Sequence, residues 1–371
     1  MSRNINTIRK YLVIIGLSIS LINVAWGQNT RLSKQEKSLE EFWQFFNQHY
    51  ASFNEKGINW DSTYIKFRPL VNPKTTDGEL FDILCEMVKP LNDSHVTITD
   101  KNKKRFSASR PSRILNEFAK TKEPKRKLYI SMIDSTLKLN GFNKLKPLGA
   151  KYKGIPVFEY STSNNYAYLR INRCFTKRFM MNGIFMQHQL EKIFKKFASK
   201  GALIIDIRFN PGGTDKFAFK IAGRLTNKEY VGLYKQKRIP NKENSFSKLL
   251  PFYVKPLGKS KFTKPVMLLT NDRSISAADV LALITNENPS VTIVGENTNG
   301  SYSDIYPAIF PKQLTNGFKI TLSNQRYLSK SLINYEGKGL SVDHEVKNTL
   351  DDFKTMIDPV LSKALKVLEN K

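Results

Sequence analysis

Two short, uninterrupted apolar runs constrain this chain more than any other feature: Leu203-Ile204-Ile205 and Val266-Met267-Leu268-Leu269. Each is too short for a buried helix. Neither shows the polar alternation of a half-exposed strand. That is the pattern of a parallel strand covered on both faces. Around them, strand and helix signals alternate. Tyr166–Cys174 reads as a strand, Gly183–Ser199 as an amphipathic helix, Ala202–Phe209 as a buried strand and Lys216–Leu225 as a helix. Val266–Thr270, Ser276–Thr285 and Val291–Gly295 repeat the order strand, helix, strand. Alternation of this kind predicts an α/β layered core with crossover connections.

The flanks differ from this core. Ser33 with Glu36 and Thr76 with Glu79 match the capping-box pattern. They open helices that carry Leu39, Phe42, Trp43 and Phe46, and Leu80, Ile83, Leu84 and Met87, at helical spacing. A further helix is expected through Tyr64 and Phe67. Residues 28–99 are therefore expected to form an N-terminal helical domain, and residues 100–160 a basic connector or lid with weak strand signals at Leu128–Met132 and Pro156–Tyr160. The α/β core is expected over 161–348, with hairpins on its rim between Glu229 and Lys264 and later strands at Ile305–Phe310 and Lys319–Tyr327. A C-terminal helical segment follows over 349–371, its helix opened by Asp358 and Pro359.

The first 27 residues have the layout of a secretory signal. Arg3, Arg9 and Lys10 precede an apolar stretch from Tyr11 to Val24, and Ala25-Trp26-Gly27 supplies small residues at the cleavage position. An exported mature protein is expected, with no integral membrane span after cleavage. Export permits disulfides. Only Cys85 and Cys174 are present, and free buried thiols are the expectation. Sixty Lys and Arg against 32 Asp and Glu give a net charge of +28. That charge attracts anionic partners. No nucleic-acid-binding signature accompanies it, so nucleic acid is not expected as a partner. Neither cysteine has the neighbours of a zinc site, and no metal or cofactor is expected.

Three local features carry chemical potential. Ser276 lies where a buried strand hands over to a helix, so its hydroxyl sits at a sharp turn beside unpaired helix N–H groups. Ser276 with Asp279 also fits a plain N-terminal cap. The strand LIIDIRF runs into Asn210-Pro211-Gly212-Gly213, and adjacent glycines expose backbone N–H groups as an oxyanion hole requires. His95 stands at a helix-to-strand junction, where functional residues concentrate.

Taken together, LNDSHVTI, LIIDIRFNPGG, SISAADV with VGENTNG, and YEGKGLSVDHEV occur in the order found in the tail-specific, or C-terminal processing, serine peptidases, a family that includes the tricorn-type enzymes. The chain resembles that family over nearly its whole mature length. The resemblance implies a crotonase/ClpP-like layered core with an N-terminal helical bundle. One branch of the family uses a lysine base in the segment where Ser301 stands here, and a PDZ domain for which residues 100–160 are short. The tricorn-type branch uses a Ser-His pair, a nucleophilic serine and a glutamate. Ser94-His95, Ser276 and Glu336 match that set.

The resemblance thus implies a serine endopeptidase acting on protein or peptide substrates. Ser276 would be the nucleophile and His95 its general base, an imidazole having an ordinary pKa of ~6.5. Ser94 and Glu336 would orient and stabilise the imidazole. Ala277 N–H, with that of Gly212 or Gly213, would hold the oxyanion. Asp343 is the alternative acid and Ser274 the alternative nucleophile. The competing expectations are an idle ligand- or peptide-binding protein on the same fold, and a relative of crotonase-type acyl-CoA enzymes.

Overall fold

The computed structural model describes residues 31–119, 125–174, 183–242 and 244–370. The expected signal segment, 1–27, lies outside them. The centre of the molecule is a seven-stranded sheet in the order His344–Glu345, Val291–Gly295, Val266–Thr270, Ala202–Asp206, Tyr166–Ile171, Ile155–Thr162, Lys146–Tyr152. The first five strands are mutually parallel and the last two antiparallel. Both apolar runs lie in the middle of this sheet, and every residue of Ala202–Asp206 and Val266–Thr270 is buried.

Burial on both faces explains why these strands are apolar without alternation. One face carries the helices Gly183–Phe197, Asp215–Ala222 and Ala277–Asn286, packed through Leu190, Phe194, Ile221 and Leu281. The opposite face carries Lys125–Leu139 and Pro359–Glu369, packed through Tyr129, Ile133, Leu361 and Leu365. A second core joins the N-terminal helices Lys34–His49 and Asp77–Val88 to a smaller sheet made from Thr97–Thr99, Arg105–Ser107, Ile305–Tyr306, Lys312–Gln313 and Lys319–Ser323. Both capping boxes form: Ser33 and Thr76 each accept the backbone N–H of a glutamate three residues on, and each glutamate accepts in return.

Several local expectations change. Leu128–Met132 is part of the helix Lys125–Leu139, not a strand. Tyr129, Met132, Ile133 and Leu137 are buried at helical spacing, so the short apolar run was one turn of a longer period. The expected connector 100–160 holds this helix and also builds an edge hairpin of the main sheet, Lys146–Tyr152 with Ile155–Thr162. The expected strand Ile305–Phe310 stops at Tyr306, before Pro307, leaving Ile309 and Phe310 exposed. The Lys319–Tyr327 run divides at Asn324 into Lys319–Ser323 and Gln325–Leu328, which belong to different sheets. The excursion after Glu229 forms Tyr230–Lys237 paired with Leu250–Val254, and Gln325–Leu328 completes that three-stranded sheet. Cys85 and Cys174 are free and buried, and burial pushes both thiols up to about 12.

A buried polar knot fastens the C-terminal helix to the sheet. Arg208 donates to Asp358 at 3.0 and 2.7 Å and to Asp206 at 3.0 and 2.7 Å. Asp358 also accepts from Asn348 and caps Val360. Removing one member of a buried ion-pair network costs far more than an exposed pair. Asp358→Ala should lower unfolding free energy by about 3–5 kcal/mol in guanidinium titrations. A change below ~1 kcal/mol would show that the knot does not hold the helix.

Candidate active site

The site lies at the carboxyl ends of the central strands, where the small sheet meets the large one. Ser276 is the residue before the helix Ala277–Asn286 and has φ +60° and ψ −118°. A non-glycine residue in that region costs about 1–3 kcal/mol and needs outside support. The support is explicit. The Ser276 N–H donates to Asp279 Oδ2 at 2.6 Å, so the carboxylate of the first helical turn holds the strained residue. The same carboxylate accepts from Gly300 N at 2.8 Å and from Ser301 N at 3.3 Å, tying the 299–301 loop to the helix mouth. Burial pushes the Asp279 carboxyl up to about 6, against the pull of Thr298 and these three amides.

Gly212 completes the support from the other side. Its φ is +85°, and a Cβ there would lie 2.5 Å from the Ile275 carbonyl oxygen and 2.7 Å from the Ser276 Cβ. Only glycine permits this approach. Asn210 fixes it, accepting the Ile275 N–H on its carbonyl at 3.0 Å and the Gly212 N–H on its side chain at 2.9 Å. The Gly212 N–H is therefore committed to Asn210. Among the described residues, the amides of Gly213 and Ala277 have no acceptor.

His95 comes from the other lobe. It sits just before the strand Thr97–Thr99, which pairs with Lys319–Ser323. Thr321 Oγ1 donates to the His95 carbonyl at 2.8 Å, fixing the backbone to that pairing. The imidazole Nε2 lies 3.1 Å from Ser276 Oγ, and Nδ1 lies 3.3 Å from Ser323 Oγ. His95 is buried and Ser276 half-buried.

The remaining expected residues fall nearby, each with its own partner. Ser94 Oγ is 3.0 Å from Ser301 Oγ, which also donates to Asn299 at 2.7 Å. Ser94 and the residue at the expected lysine position thus touch each other. Glu336 is buried, with Oε1 2.9 Å from the buried Lys56 ammonium and Oε2 accepting the Tyr302 N–H at 2.6 Å. Burial raises the Glu336 carboxyl, and Lys56 opposes the rise. Asp343 accepts the Ile293 N–H at 2.7 Å and so belongs to a strand edge. Ser274 Oγ donates to the Ile207 carbonyl at 3.0 Å.

Sequence reasoning passed over Asp93, Ser323 and Lys56. Asp93 Oδ1 accepts the His95 N–H at 2.8 Å. An Asp two residues before a functional residue is a recognisable Asx-turn signal. Ser323 and Lys56 have no comparable local pattern.

Comparison with known proteins places the chain in a family. The model of peptidase family S41 matches residues 165–346, and that of the tricorn protease C1 domain matches residues 34–89. The chain belongs to the S41 peptidase family. It is 25% identical over 226 residues to a carboxy-terminal-processing protease of Bartonella bacilliformis, covering 58% of this chain and 48% of that protein. It is 30% identical over 106 residues to the carboxy-terminal processing protease CtpA of Bacillus subtilis, covering 29% of this chain and 21% of that protein. The chain thus spans about half, or less, of the length of the curated relatives it matches. Among solved structures, a candidate peptidase from Parabacteroides merdae has a TM-score of 0.74 at 23% identity, over 91% of this chain and 97% of that one. Mature CPAF complexed with lactacystin has a TM-score of 0.65 at 14% identity, over 91% and 99%. These likenesses establish the fold.

The close approach at Gly212 yields a direct test. Gly212→Ala introduces both a disfavoured φ and a collision with backbone atoms. It should lower unfolding free energy by about 1–3 kcal/mol or more. A melting curve superimposable on that of the wild type would show that the 212–213 turn does not press on Ser276.

Proposed function

We infer that the protein is an exported serine peptidase of the tricorn-type branch, cleaving peptide bonds through an acyl-enzyme on Ser276. The observation that carries this is the 3.1 Å contact between His95 Nε2 and Ser276 Oγ, made across 181 positions of sequence between two lobes. A serine hydroxyl becomes a useful nucleophile only when a base within hydrogen-bond reach takes its proton. As the Ser276 oxygen attacks a substrate carbonyl, His95 Nε2 accepts that proton. It then returns the proton to the leaving amine. Water attacks the resulting ester by the same route in reverse order of partners, and Ser276 is regenerated.

The carbonyl oxygen gains negative charge in both steps. The amide of Ala277 and that of Gly213 are the available donors, while Gly212 makes their approach to Ser276 possible. One such donor is worth about 2.7–4 kcal/mol in the transition state. Ser94 and Glu336 complete the set. Ser94 braces the site through Ser301, and Glu336 ties Lys56 to the Tyr302 amide at the edge of the site. Ser301 in place of a lysine favours the histidine-based branch over the lysine-based one. The signal-like first 27 residues support export. Among the described residues no helix is long and apolar enough to cross a membrane. Protein or peptide chains are the substrate class, with no metal or cofactor.

A fluorophosphonate probe should label the mature protein at Ser276 alone, and Ser276→Ala should abolish both labelling and casein cleavage. His95→Ala should slow labelling by about 10²–10⁴-fold, the usual contribution of a general base. Peptide mapping of the labelled protein by mass spectrometry checks the first claim. Undiminished proteolysis in Ser276→Ala would remove the mechanism. A wild-type protein that takes no probe would point to a binding module on the same fold.

A further inference from the structure

We propose that Asp93, rather than Glu336, is the carboxylate that sets the orientation and tautomer of His95. The inference rests on the assignment of Ser276 and His95 as nucleophile and base.

For Nε2 to accept the Ser276 proton, the ring proton of neutral His95 must sit on Nδ1. Asp93 Oδ1 lies 3.8 Å from Nδ1, and the Ser323 hydroxyl lies 3.3 Å from it. The serine accepts the Nδ1 hydrogen, and the carboxylate behind it favours positive charge and a proton on that side of the ring. Asp93 also accepts the His95 backbone N–H at 2.8 Å, so one side chain fixes both the main chain and the electrostatics of the base. It is fully buried, with the Tyr50 hydroxyl beside it. A buried carboxylate is costly without nearby positive charge. A neighbouring imidazole that becomes cationic during the reaction offsets that cost.

Glu336 is not placed for the same task. Its oxygens are taken by Lys56 and the Tyr302 amide. The charged and titratable groups around this centre come from four elements. Tyr50 closes the first helix, and Asp93 raises its phenol pKa after burial has done so. Lys56 with Glu336 forms the next pair, and Glu55 with Arg326 an outer one. Lys56 lies against Glu336, which leaves Asp93 as the carboxylate on the imidazole side. Asp93 is thus a positioning residue, acting through His95 without touching substrate.

Asp93→Asn keeps the acceptor for the His95 N–H and removes the charge. Labelling of the full mature chain by a fluorophosphonate should slow by about 10²-fold, at the lower end of what a general base supplies. The turnover number should fall while KM holds. The pH–rate profile should change, because the carboxylate charge beside the imidazole is gone. Nitrogen-15 spectra of the imidazole at neutral pH provide a readout independent of activity. The wild type should show the Nδ1–H form of His95. Asp93→Asn should lose that preference, and Glu336→Gln should retain it. Should Asp93→Asn fail to fold, the wild-type and Glu336→Gln spectra still decide. A wild-type Nε2–H form, or a tautomer change in Glu336→Gln, overturns the proposal. So does an Asp93→Asn protein with wild-type rate, pH profile and tautomer. If the wild type takes no probe at Ser276 yet shows the tautomer shift in Asp93→Asn, the peptidase assignment fails and the role of Asp93 in holding His95 stands.

Discussion

The structure depends on one close contact between backbones. The turn after the strand Ala202–Asp206 and the turn after Val266–Thr270 meet at Gly212 and Ser276, with no room for a side chain between them. Parallel neighbours in a sheet end on the same side, so their following loops are bound to lie together. What is specific here is how near they come. That nearness sets Gly212 against the Ser276 side chain and the Ala277 amide. It also holds Ser276 at a φ that a serine would not otherwise keep. Asp279 and Asn210 supply the fixed polar partners for this arrangement, from the helix mouth and the facing turn respectively. Strain at Ser276 is therefore distributed over two loops and a helix, not borne by one residue.

His95 reaches this elbow through a different set of constraints. Its position follows from the pairing of Thr97–Thr99 with Lys319–Ser323, from the Thr321 hydroxyl on its carbonyl and from Asp93 on its amide. Those elements belong to the small sheet and the core of the N-terminal helices. The proposed base is thus delivered by one lobe and the proposed nucleophile by another. Lys56 and Glu336, both buried, join the N-terminal helical region to the segment after Gln325–Leu328, which stiffens the same junction. Changes at that junction are expected to act on catalysis through the distance between His95 and Ser276.

Much of the fold was legible in the sequence because its strands are buried on both faces. Val266–Thr270 and Ala202–Asp206 could hardly be anything but interior strands. Capping boxes marked the starts of two N-terminal helices for a physical reason, since each satisfies otherwise unpaired amides. Of the edge hairpin, Ile155–Thr162 gave a weak strand signal at Pro156–Tyr160, but Lys146–Tyr152 was not legible. An edge strand carries lysines and a glycine and shows little alternation. Leu128–Met132 misled because a five-residue apolar run fits either period. At the site, the sequence marked Ser276, His95 and the glycine pair through local pattern and family resemblance. It could not reveal that Ser94 meets Ser301, or that Glu336 meets Lys56, because these contacts join segments more than two hundred positions apart. Asp93 had a local signal, an Asx turn onto the histidine, which was overshadowed by the Ser-His pair beside it.

The most direct measurement is a crystal structure of the mature protein with a peptidyl boronic acid. A boron–oxygen bond to Ser276 Oγ is expected, with one boronate oxygen between the amides of Gly213 and Ala277 and the other within reach of His95 Nε2. A boronate bound without a covalent bond to Ser276, or an oxygen directed away from those two amides, would contradict the assignment of this elbow as the catalytic centre.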